Sequence, residues 1–132
     1  MKKQMLVVVE LGGYPNFVPL YESLGYEVTM VTSVRNAIRS LKKLRPQVVI
    51  AEFNFQSDFR DRTSSLESLL SSIQTLDKCD VIVFYEKEHA HQLEKLTVQY
   101  SISNRLPFPI DVAELEKSLK TGMDGDASGA SL

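Results

Sequence analysis

Two carboxylates directly follow runs of apolar residues, and a carboxylate so placed can hold a metal, move a proton or accept a phosphoryl group. Glu52 closes Val48-Val49-Ile50-Ala51, and Glu10 closes Met5 to Val9. In an open α/β sheet the C-terminal ends of the strands are where chemistry is placed. Other chemistry-bearing residues are less well held. Asp58 and Asp61 follow Glu52 but lie in a polar stretch that no strand end fixes. His89 and His91 are two positions apart on a predicted helix, so they do not share a face and do not read as a metal pair. Gly12-Gly13 follows the first apolar run without the G-x-G-x-x-G of a dinucleotide turn. The serines include no G-x-S-x-G elbow. Cys79, just before a strand, reads as packing rather than as a nucleophile.

The elements that must position these groups are legible from periodicity. Met5 to Val9, Val48 to Ala51 and Asp80 to Tyr85 are apolar and rich in β-branched residues, which predicts strands buried on both faces of a parallel sheet. Tyr26 to Thr32 alternates and reads as a strand nearer an edge, and Gln99 to Asn104 as a short last strand. Between them lie helices. Asn16 caps the first, Pro19 falls in its opening turn, and Gly25 ends it in the left-handed conformation. Ser33 caps the second, whose Val34, Ala37, Ile38, Leu41 and Leu44 form one face. Ser64 to Thr75 carries Leu66, Leu69, Leu70 and Ile73; Glu86 to Thr97 is polar with a thin stripe at Ala90 and Leu93. Gln56 to Thr63 reads as a loop and Leu106 to Pro109 as a rigid turn. Asp111 caps the last helix, with Glu114 in the reciprocal position. The order βαβαβαβαβα predicts a flavodoxin-like (βα)5 fold, a doubly wound parallel sheet with strand order 2-1-3-4-5. One domain is expected over residues 1–120, with 121–132 a small, polar, disordered tail.

Composition narrows the function. A net charge of −2 makes no case for nucleic acid, and Arg35, Arg39, Lys42, Lys43 and Arg45 read as a solvated helix face. A single cysteine cannot form an internal disulfide, which suits a reducing cytoplasm. No apolar run approaches the roughly 20 residues needed to span a bilayer.

Gly25-Tyr26-Glu27-Val28, running through Ala37 and Leu41 to Arg45-Pro46, and then Pro107-Phe108 before an Asp-capped helix, carry a likeness. From about Gln4 to about Leu119 the chain resembles the receiver (CheY-like) domain of two-component response regulators. That family accepts a phosphoryl group from a histidine kinase on an Asp ending the third strand. Two acidic residues after the first strand hold Mg²⁺. A Thr or Ser ending the fourth strand, and a Lys ending the fifth before a cis proline, grip the phosphoryl group. The resemblance places Glu52 at the acceptor, Val9 and Glu10 at the acidic pair, Tyr85 at the hydroxyl position, Leu106 at the lysine and Ser103 at the aromatic switch position. The glycine-bearing segment after the acceptor is replaced by Gln56 to Ser64.

Phosphoryl transfer needs a positioned nucleophile, a metal and a cation on the transferred oxygens. Glu52 is longer than Asp, Glu10 and Glu52 are a thin ligand set for Mg²⁺, and Leu106 carries no charge. The resemblance therefore implies a degenerate receiver that is not an enzyme, needs no cofactor and is not phosphorylated at Glu52. It would act through an unknown protein partner, a kinase or an output regulator, or as a homodimer through its fourth and fifth helices. Glu52 then reads either as a fixed anion imitating the phosphorylated state or as a partly solvated strand-end carboxylate. Tyr85 reads as a plug in the phosphate space or as an exposed ring. Two other functions compete: a flavodoxin-like binder of a small ligand, with Leu106 and Tyr85 lining the site, and a regulator that is still phosphorylated.

Overall fold

A computed structural model describes residues 3–9, 16–53, 66–76 and 78–123. Glu10, Gly12, Gly13, Asp58 and Asp61 lie outside these residues, as does the tail beyond residue 123. The elements are β1 (Lys3–Val8), α1 (Val18–Ser23), β2 (Tyr26–Val31), α2 (Val34–Leu44), β3 (Val48–Glu52), α3 (Leu66–Ile73), β4 (Asp80–Tyr85), α4 (Ala90–Gln99), β5 (Asn104–Pro107) and α5 (Val112–Met123). A 3-10 turn, Lys87–His89, leads into α4.

The strands pair in parallel in the order β2-β1-β3-β4-β5, as the alternation of apolar runs and helical faces predicts. The central strands are β1, β3 and β4, and these carry the apolar runs. β2, whose sequence alternates, lies at one edge. Side chains leave the sheet on alternate faces, so each strand feeds two cores. On one face Leu6, Val8, Val49, Ala51, Val81 and Val83 pack with α2, α3 and α4. On the other, Met5, Val7, Val48, Ile50, Ile82, Phe84 and Leu106 pack with α1 and α5.

Local chemistry sets the helix ends. The Asn16 side chain accepts from the Val18 amide at 3.0 Å, so it serves the first turn of α1 although Phe17 is the capping residue. Ser33 Oγ accepts from the Asn36 amide at 3.1 Å. Asp111 Oδ1 accepts from the amides of Ala113 and Glu114, at 2.9 and 3.3 Å. Gly25 adopts φ +94°, the left-handed region open to glycine.

Three expectations need correction. The last strand is Asn104–Pro107, not Gln99–Asn104. Its single inward residue is Leu106, and Pro107 is tolerated because β5 is an edge strand with no strand on its far side among the described residues. The cis X-Pro bond is Phe108–Pro109, one proline later than the resemblance implies. The last helix runs on to Met123, past the predicted start of the tail at residue 121.

Candidate functional site

Glu52 is the last residue of β3 and pairs with Phe84 of β4. Strand alternation puts it on the same face as Val48 and Ile50, the side covered by α1 and α5. It is only 8% exposed, the one buried charged residue among the described residues. It is therefore largely withdrawn from water, with the rest of its surface at the cavity it lines.

Beside it lies a cavity of about 200 Å³. Val7 and Val9 supply one wall, Ile50 and Phe84 another, and Phe17, Val18 and Tyr21 of the α1 region close it, with Met30 at the β2 side. Val9 continues β1, its amide donating to the Val31 carbonyl at 3.0 Å. The first position of the implied acidic pair therefore faces this cavity with an isopropyl group. Phe84 and Phe17 meet edge to face at 6.1 Å, and Phe17 also touches Tyr21 at 6.4 Å. Burial pushes the Tyr21 hydroxyl above its ordinary value, so it stays neutral.

The other members of the implied site are dispersed. Tyr85 is half-buried and packs against the core on the α2, α3 and α4 side, the face opposite Glu52. It does not line the cavity; the ring beside Glu52 is Phe84. Leu106 is an internal residue of β5, paired with Phe84 and 6% exposed, and it too does not line the cavity. It is a core residue, and neither it nor Phe108 carries a charge. Ser103 stands at the opposite end of the sheet, where its hydroxyl accepts from the Val81 amide at 3.0 Å and its own amide donates to the Val81 carbonyl at 2.9 Å.

Mg²⁺ takes nearly octahedral oxygen ligands. Among the described residues the cavity offers one carboxylate set in a wall of valine, isoleucine and phenylalanine. These residues do not fit that ion. Sequence reasoning missed Phe17, Phe84 and Met30. The alternation in Asp80-Val81-Ile82-Val83-Phe84-Tyr85 was the available signal, since Phe84 must share a face with Ile82 and Tyr85 cannot.

No protein-family model and no curated protein matches the sequence. Solved structures do. A response regulator receiver domain (CheY-like) from Methylobacillus flagellatus is similar over 92% of this chain and 99% of that one, at 21% identity and a TM-score of 0.71. A response regulator receiver domain protein from Clostridium thermocellum is similar over 95% and 97%, at 17% identity and a TM-score of 0.75. The receiver domain of a sensor histidine kinase from Pseudomonas aeruginosa, with a magnesium ion coordinated in its active site cleft, is similar over 91% and 96%, at 20% identity and a TM-score of 0.66. The chain thus has the receiver-domain fold, a flavodoxin-like five-stranded doubly wound sheet.

Proposed function

We propose that this chain is a receiver-type signalling module that works through contact with another protein, without phosphorylation at the acceptor position. One observation carries the reading. The end of β3 presents a glutamate, 8% exposed, beside a cavity walled by apolar side chains. The family's reaction develops charge on the phosphoryl oxygens, and charge of that kind requires a metal and cations around it. Removing one such electrostatic partner costs about 10²–10³ in rate. Here Val9 stands for one acidic ligand, Tyr85 for the hydroxyl residue, and the lysine position is uncharged.

The contact surface in this reading is the side of the molecule formed by α4 and α5. Val98 of α4 is 85% exposed, and α4 buries only Leu93 fully. A second copy of the chain, a kinase or an output regulator would bind there. The receiver fold, together with a buried glutamate among apolar side chains at the acceptor position, supports this reading. No helix among the described residues is long and apolar enough to cross a membrane.

The test is direct. The protein is incubated with Mg²⁺ and acetyl phosphate, and separately with Mg²⁺ and beryllofluoride. Intact mass and amide NMR shifts are then recorded. No mass increase and no shifts at Glu52 or Phe84 are expected. An adduct on any acidic residue of the pocket would overturn the reading.

A further inference from the structure

The geometry points to the cavity beside Glu52 as a binding site for a small organic cation: one aromatic or aliphatic group of about ring size joined to an ammonium. The inference goes beyond the signalling reading and does not depend on it.

Size sets the first limit. A cavity of about 150 Å³ lined by apolar side chains takes benzene, so the roughly 200 Å³ here admits a ring and a short chain but nothing of nucleotide size. Wall chemistry sets the second. Val7, Ile50, Phe17 and Phe84 offer apolar surface, and a group buried against them must be apolar itself. Charge sets the third. Among the described residues the lining contains one acidic side chain, Glu52, and neither Lys nor Arg. A phosphate or carboxylate would meet that carboxylate at close range in a low-dielectric pocket, where like charges repel strongly. A hydrated divalent ion would have to shed water against a hydrocarbon wall. An ammonium gains both a charge-assisted hydrogen bond and the faces of nearby rings. Glu52 already has an interaction within the chain. A carboxylate has about four acceptor sites, and the ammonium would share the group with the partners it already has.

The pocket is also built rather than incidental. Phe17 and Phe84 hold each other edge to face at 6.1 Å, and Phe17 is buried at the start of α1. Asn16, which also lines the cavity, fixes that start by accepting from the Val18 amide. Met30 is half exposed beside it, so the flexible thioether side chain lies where a ligand would enter.

The experiment uses three probes of one shape on the full chain: phenethylamine, neutral 2-phenylethanol and anionic 3-phenylpropionate. Amide shifts of Val7, Glu52 and Phe84 are followed by NMR, for the natural chain and for Glu52→Gln and Val18→Phe. Phenethylamine is expected to shift these amides and to bind about tenfold or more tighter than the alcohol, the size of one charge-assisted hydrogen bond. The propionate is expected not to bind. Glu52→Gln should erase the preference for the amine while the alcohol still binds, and Val18→Phe should weaken both by filling part of the cavity. Absence of shifts with phenethylamine, or equal binding of the three probes, overturns the inference. So does a preference for the amine that survives in Glu52→Gln. If Glu52→Gln does not fold, the comparison of the three probes on the natural chain decides alone. A beryllofluoride adduct would remove the signalling reading and leave this result standing, so the two failures are distinguishable.

Discussion

Cys79 shows how position decides what a reactive residue can do. It sits just before β4, half-buried, and burial followed by the neighbouring Asp80 carboxylate pushes its thiol up to about 12. The thiolate is the nucleophilic form, so at neutral pH this cysteine is inert. The same shift makes a stability statement. In the folded chain the thiol keeps its proton above 9.0, its ordinary value, whereas the unfolded chain releases it. The unfolded state therefore binds fewer protons in that range, and stability falls as pH rises from 9.0 towards about 12. Below 9.0 the residue contributes no pH dependence. Cys79→Ala removes the titrating group. Urea midpoints of the two proteins at neutral pH and at about pH 10.5 are expected to show the natural chain losing more than the variant. Parallel losses would show that the thiol titrates at its ordinary value.

At the scale of the element, the last βα unit separates what periodicity reveals from what it conceals. β1, β3 and β4 contain continuous apolar runs because both their faces are covered, and strands fit such short runs between helical segments. β5 has no such signature. It is four residues long, ends in a proline, and buries only Leu106, so its apolar content could not place it. Half of the true strand, Leu106-Pro107, was concealed inside what reads as a rigid turn. Glu52 could be placed from sequence because it ends a continuous run. Its neighbours could not, because Phe17 and Met30 reach the cavity from α1 and β2, which no local pattern brings together. The caps were readable because each is local. Asp111→Ala removes an acceptor shared by two helix amides and is expected to cost about 1 kcal/mol. Leu115→Ala, one turn on and fully buried against the sheet, is expected to cost about 2–5 kcal/mol. Chemical denaturation with unchanged slope would check both. A cost at Asp111 equal to that at Leu115 would mean that the cap organises the tertiary contact as well as the helix.

The whole molecule has a sheet covered on both faces, so apolar surface left on the outside carries information only where packing does not use it. Among the described residues the large exposed hydrophobics are Met30, Val98 and Val112. Met30 lines the cavity, and Val112 begins α5. Val98 touches the core with none of its surface to speak of, at 85% exposed, on a helix held to the sheet chiefly through Leu93. A charge at such a site changes folding stability little, within about 0.5 kcal/mol. The same charge at the centre of an interface is costly, because burying it without a partner is unfavourable by several kcal/mol. Val98→Glu thus separates the two roles. If the α4 and α5 side joins two copies, sedimentation equilibrium over a range of concentrations should show the natural chain associating and Val98→Glu remaining monomeric, with equal thermal midpoints once both are diluted to monomer. Equal association of both proteins would move the contact off α4. A lowered midpoint in the variant would show instead that Val98 packs within its own fold.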